Sequence, residues 1–265
     1  MRVCILLLAL ALYGAAPSSP GYAAYEKANQ LFVAKKLPEA VAAVDEALRL
    51  DPKLIPALTL KAKLGMAAGQ FDIAGQCLER ALAIDPRAQY AQFLYGLQAY
   101  LSNDLAAALP RLRKARELNP RDPRTALYLG LTVESLGKPE EAVSLYEDAV
   151  SLERSAGTLD AETLLPGAKL LLLLGRLKES ENWLHQAEEI SPNSRDVHFE
   201  LARLLLKKGD ALQATAEGEK ALALSDGVVT DASIHYLLIR AYRQSGNADR
   251  AEMHAEIMRA QETPR

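Results

Sequence analysis

Side chains able to ligate a metal, attack an electrophile or move protons near neutral pH are sparse in this sequence. Four histidines (His185, His198, His235 and His254) and two cysteines (Cys4 and Cys77) stand in 265 residues. Their spacing matches no zinc pattern, no glycine-rich phosphate loop follows a strand pattern, and no nucleophile motif occurs. Cys77 falls within a helical stretch and reads as a small buried hydrophobe. No catalytic residue, metal ion or cofactor is expected.

The elements that position these residues are set by a repeat. The phrases LRLDP, LAIDP and RELNP end at Pro52, Pro86 and Pro120, a period of 34 residues. Pro192 follows after two periods and four extra residues, and Arg154 stands where the intervening proline would be. With Gly157 to Asp160 inserted before a fifth repeat and Val229 to Asp231 before a seventh, the remaining marks align. Repeat position 8 reads Ala28, Ala62, Gly96, Gly130, Ala168 and Ala202, with Ile239 last. Position 20 reads Ala40, Ala74, Ala108, Ala142, Ser180, Ala214 and Ala251, and position 27 runs from Ala47 to Ala221 before ending at Met258. Small residues at these places let helices approach closely. Position 15 supplies the turn through Gly69, Gly137, Gly175, Gly209 and Gly246, with Asn103 in the third repeat and Lys35 as the departure. In this register His198 and His235 share one position in adjacent repeats, so they could face each other as packing residues, whereas His185 and His254 read as surface or edge residues.

This pattern of small residues with a closing proline resembles the tetratricopeptide repeat family over residues 24 to 263. The first aromatic of the family pattern is absent from every copy. The resemblance implies an all-α fold: a right-handed superhelical solenoid of about seven helix-turn-helix units, with the first helix of each pair lining a concave face. Residues 24–156 would hold repeats 1 to 4, residues 157–160 an insertion loop, and residues 161–265 repeats 5 to 7. Pro38 and Pro139 fit first turns of second helices. Pro110 predicts a kink, Pro166 a kink or a late start, and residues 154 to 166 an irregularity that divides the array into four and three repeats.

The family presents its first helices to a ligand, which implies a partner-binding groove of Tyr25, Asn29, Phe32, Lys63, Met66, Phe93, Leu97, Tyr100, Lys169, Phe199, Arg203, Tyr236, Arg240 and Arg243. It is aromatic and apolar toward the N-terminus and more basic toward the C-terminus. Such a trough suits an amphipathic helix or extended peptide carrying acidic residues. One branch of the family grips a chaperone's C-terminal carboxylate with Lys and Asn, but Tyr25, Leu60, Tyr90 and Leu94 stand at the clamp positions. The expected function is a non-catalytic protein-interaction scaffold, as in exported bacterial relatives that help assemble envelope complexes. The alternative is an exported module binding a non-protein ligand such as envelope polysaccharide through Tyr25, Phe93, Tyr100 and Tyr236.

The N-terminus carries Arg2, an apolar run from Ile5 to Tyr13 and a small-residue segment to Ala23, the pattern of a cleavable secretory signal over residues 1–23. Periplasmic or secreted localisation is expected, with a retained N-terminal anchor as the alternative. Cys4 precedes the apolar run and cannot serve as a lipoprotein cysteine. Lys and Arg number 31 against 34 Asp and Glu, a net charge of -3 that marks no general nucleic-acid or membrane-surface binder. The final helix, Asp249 to Ala260, is charged enough to cap the array, so a monomer is expected.

Overall fold

The computed structural model describes residues 19–262. Arg2, Cys4 and the apolar run of the expected signal lie outside the described residues, as do residues 263–265. All regular structure among the described residues is α-helical. The chain divides into two compact units, the first ending at Ser102 and the second beginning at Asn103.

The first unit contains α1 (Pro20–Val33), α2 (Leu37–Leu50), α3 (Ile55–Ala67), α4 (Phe71–Ile84) and α5 (Gln89–Leu101). Ser19 caps α1 by accepting the Tyr22 N–H at 3.3 Å, so the expected cleavage point after Ala23 lies in the first turn of a helix. The second unit contains α6 (Leu105–Leu118), α7 (Pro123–Ser135), α8 (Pro139–Ala156), α9 (Ala161–Leu173), α10 (Leu177–Ile190), α11 (Arg195–Lys208), α12 (Ala211–Ala223), α13 (Asp231–Gln244) and α14 (Ala248–Glu262). Within each unit, successive helices pack as helix-turn-helix pairs and first helices lie beside first helices.

Two kinds of turn follow from the sequence. Between the helices of a pair, the chain passes through a left-handed residue, and the next N–H reaches back to an orphan carbonyl; Gln70 donates to Gly65 O at 2.8 Å and Asn247 to Tyr242 O at 2.8 Å. Lys35, which breaks the glycine pattern, nevertheless adopts φ 58, and Asn103 adopts φ 59. Between pairs, the residue before proline is forced out of the helical region. Asp51, Asp85 and Asn119 sit there in extended conformation, and their side-chain oxygens accept the N–H two residues on at 3.0, 2.8 and 3.2 Å. The Asp-Pro and Asn-Pro phrases are thus helix stops and turn locks together.

The small positions are where helices touch. Ala28, Ala62, Ala168 and Ala202 are fully buried, as are Ala40, Ala74, Ala108, Ala142 and Ala214 and the alanines at 47, 81, 115, 149, 187 and 221. A Cβ added at Gly130 would lie 2.7 Å from Tyr146 Cε1, inside contact distance, so the ring of α8 rests on the bare backbone of α7.

The insertion at Gly157 to Asp160 forms the link between α8 and α9, with Gly157 left-handed and Asp160 capping α9. It lies within the second unit, where α8 and α9 pack together, and not at the unit boundary. Pro110 and Pro166 both sit inside helices, and α9 begins at Ala161, so the late start considered for Pro166 does not occur. Each proline removes the donor for the carbonyl four residues back, on exposed Ala106 and Glu162, where water can replace it. Of the second insertion, Val229 and Thr230 lie in the link before α13, and Asp231 begins that helix. Asp196 holds the link by accepting the N–H groups of Val228 and Val229 at 3.1 and 2.9 Å.

Candidate functional site

In the second unit, α9, α11 and α13 are the first helices of three successive pairs. Together they enclose a groove of about 420 Å³. Its walls include Leu172, Phe199, Arg203, Leu206, Tyr236 and Arg240. Phe199, Arg203, Tyr236 and Arg240 therefore come together from two helices. Leu173, Lys207, Ser233 and Leu237 also line it and were not singled out by the repeat register. Leu173, Lys207 and Leu237 lie next in sequence to Leu172, Leu206 and Tyr236, where a small helix rotation decides which side chain reaches the cavity, and Ser233 lies one helical turn before Tyr236.

The basic character of this groove is not uniform. Glu200 is 2 % exposed, and its carboxylate meets Arg203 at 2.7 Å and Lys169 at 3.8 Å. Burial raises the Glu200 carboxyl above the ordinary carboxylate value, against the pull of Arg203 and Lys169. Two of the four expected cations are thereby engaged by one acid that the sequence pattern did not flag. Arg203 also lies over the Phe199 ring, 5.9 Å from its centroid. Arg240 and Arg243 are exposed and make no ion pair among the described residues, and Tyr236 is 59 % exposed beside Arg240. The end of the groove nearest α13 thus offers an aromatic face with a guanidinium that is still available.

The first unit holds the other expected residues. Tyr25, Asn29 and Phe32 lie on α1, Lys63 and Met66 on α3, and Phe93, Leu97 and Tyr100 on α5. Lys63 Nζ stands 4.5 Å from the centroid of Phe32, a cation–π contact that joins α1 to α3. Tyr25 packs against Tyr22 with ring centroids 5.5 Å apart, and burial, followed by Tyr22, raises its phenol above the usual value. Phe93 is 3 % exposed and stacks on Tyr90, so its ring belongs to the core and presents little surface to a ligand.

The histidines depart from expectation. His198 and His235 do not face each other. His198 Nδ1 lies 2.7 Å from Glu217 Oε2, and its Nε2 lies 2.9 Å from Pro192 O. His235 pairs instead with His254, which is 1 % exposed and is no surface residue. Helix α14 turns the His254 ring inward, where it stacks on Tyr242 at 5.6 Å. The Tyr242 hydroxyl donates to Glu219 at 2.8 Å, and burial together with that bond pushes it up to about 12. His185 is exposed beside Glu188, as a surface residue would be. Burial pushes the Cys77 thiol up, in keeping with an inert packing role. Among the described residues, Glu188, His198 and Glu217 bring ligand atoms within 4.8 Å of one another. Burial acts to raise Glu217, but bonds from Lys220 and His198 hold it below the usual carboxylate range.

No helix among the described residues is long and apolar enough to cross a membrane. The sequence model described as Tetratricopeptide repeat matches residues 59–109 and 99–157. A search of curated proteins finds no match to the sequence. Among solved structures, the chain is similar to PilF of Pseudomonas aeruginosa, at 21% identity and a TM-score of 0.69 over 78% of this chain and 93% of that one. It is similar to PilW, a widely conserved type IV pilus biogenesis factor, at 19% identity and a TM-score of 0.70 with the same coverage. YrrB, a tetratricopeptide protein with an unusual peptide-binding site, aligns at 20% identity and a TM-score of 0.53 over 72% of this chain and 94% of that one. Residues 59–157 thus match the tetratricopeptide repeat in sequence, and the chain shares the fold of PilF and PilW over 78% of its length.

Proposed function

We propose that this chain is a non-catalytic scaffold that binds a peptide or helix of a protein partner in the groove of α9, α11 and α13. The observation that carries the reading is the pairing of an apolar floor with an unengaged cation: Leu172, Phe199, Leu206 and Leu237 offer burial, and Arg240 offers a fork of donors for a carboxylate. A volume of about 420 Å³ accommodates one or two large side chains, not a whole globular surface. The fitting ligand is a segment with a leucine or aromatic anchor and an acidic residue one helical turn away.

Export by the N-terminal signal and a role in assembling an envelope complex belong to the same proposal. The support is the signal-like pattern of residues 1–23 together with the likeness in fold to PilF and PilW, the latter a pilus biogenesis factor. Selection of peptides from a random library on the immobilised full chain tests the binding, with a glycan array run in parallel. Selected peptides should combine an apolar anchor with an acid and lose binding to Arg240→Glu and to Tyr236→Ala. Peptides indifferent to both substitutions, or selection on the glycan array alone, would overturn the reading.

A further inference from the structure

The second unit holds a polar cluster that the groove does not use, built from α10, α11 and α12. His198, 5 % exposed at its side chain, has both ring nitrogens turned toward acceptors: Pro192 O at 2.9 Å from Nε2 and Glu217 Oε2 at 2.7 Å from Nδ1. A backbone carbonyl only accepts, so Nε2 must carry a proton. A neutral imidazole has one N–H, which leaves the Nδ1 lone pair facing a carboxylate. That arrangement is satisfied by a second proton on the ring or by a cation between Nδ1 and the carboxylate.

Four further features favour the cation. Glu188, from α10, brings a third ligand atom into the same 4.8 Å cluster. Imidazoles that bind metals commonly donate their other N–H to a backbone carbonyl, which fixes the ring and the tautomer, and Pro192 O does this for His198. Lys220 holds Glu217 Oε1 at 2.8 Å, orienting the carboxylate so that Oε2 is the atom presented to the cluster. A cavity of about 240 Å³ opens beside Glu188 and Glu217, leaving room for water to complete a coordination shell, and His185 stands at its wall with Nδ1 3.4 Å from Glu188 Oε2. Ligand atoms about 2.0 to 2.2 Å from a common centre are roughly 3 to 4 Å apart, so small side-chain shifts suffice.

We propose that Glu188, His198 and Glu217 form a binding site for a first-row divalent transition metal ion such as zinc. One imidazole with two carboxylates suits such an ion better than magnesium or calcium, which favour oxygen ligands. The ion joins the second helix of one pair to both helices of the next, so its effect is to stiffen the stack behind the groove. The site stands independently of the peptide-binding reading.

The test uses the full chain, free of any affinity tag and stripped with a chelator, titrated calorimetrically with zinc in the presence of excess magnesium. The expected result is one zinc ion per chain and a rise in Tm on saturation. Glu188→Gln and Glu217→Gln should each weaken zinc binding by at least about tenfold, the loss that removal of even an outer-sphere partner can cause. Glu188 is partly exposed, so its variant keeps the fold, and circular dichroism checks both. His235→Gln, which alters the buried His235–His254 pair away from the site, should leave the affinity unchanged. Absence of saturable zinc binding, or binding that survives both Glu substitutions, overturns the proposal.

Discussion

His235 and His254 meet through their Nδ1 atoms at 2.9 Å, in the interior between α13 and α14. One ring donates and the other accepts, so the pair is complete only when at least one ring is neutral. Burial first, and the neighbouring His254 second, hold His235 below the ordinary imidazole value of 6.5. The unfolded chain therefore binds more protons than the folded chain between 6.5 and that lower value. Stability from this pair is fully present above pH 6.5 and is lost as pH falls through the folded value. The Tm measured from pH 8 to pH 5 should fall across this window, and His235→Gln should flatten that part of the slope. A profile identical in the two proteins would contradict the assignment.

Lys35 adopts a left-handed conformation that costs a non-glycine residue about 1 kcal/mol. Its equivalents in the other repeats are Asn103 and five glycines, Gly69, Gly137, Gly175, Gly209 and Gly246, with nothing near the position of a Cβ. Lys35→Gly should stabilise the first unit by about 0.5 to 1 kcal/mol, after allowance for the greater freedom of glycine in the unfolded chain. Urea unfolding should show a higher midpoint with an unchanged slope.

Gly130 and Gly75 are both helical, yet the same substitution should act on them in opposite directions. At Gly130 a methyl group would strike the buried Tyr146 ring, whose hydroxyl bonds Glu134 at 2.5 Å, so Gly130→Ala should cost about 1 to 3 kcal/mol. At Gly75 the nearest atom is Gln98 Oε1 at 3.9 Å, and Gly75→Ala should gain about 0.5 to 1 kcal/mol from helix propensity. Thermal unfolding of the two single variants separates the effects.

Glu200 holds Arg203 and Lys169 at one end of the groove. Its burial cost offsets much of what its two partners return, so Glu200→Gln should change stability by less than about 1 kcal/mol. The same substitution frees two cations, and acidic peptides selected on the native chain should bind the variant more tightly, with a steeper dependence on salt. Fluorescence anisotropy at two ionic strengths gives both quantities.

The parts of this molecule that were legible in the sequence are those fixed by backbone geometry and close packing. Pro52, Pro86 and Pro120 mark turns because no residue ahead of a proline easily stays helical, and the alanines at positions 20 and 27 mark contacts because nothing larger fits. The groove helices followed from the same register. Side-chain partnerships did not. His254 pairs with His235, and Glu200 gathers Arg203 and Lys169, through helix rotation and neighbour distance that a one-dimensional pattern does not encode. Phe93 shows the same gap in reverse, since its groove position does not reveal that Tyr90 closes over it.

The two insertions differ in how they are tied, and that difference sets where foreign sequence can be spliced into the array. In the first link Gly157 and Thr158 are exposed, and the link is tied back through the carbonyl and carboxylate of Glu153, so an epitope grafted at these two residues would hang outward and leave α8 and α9 in phase. The link before α13 is a clasp: Asp196 grips its backbone, and Arg195 reaches both Leu224 O at 2.8 Å and the Asp231 carboxylate. Lengthening that clasp would detach the carboxylate from its two amides and let α13, with α14 behind it, rotate away from the groove that α13 helps to build.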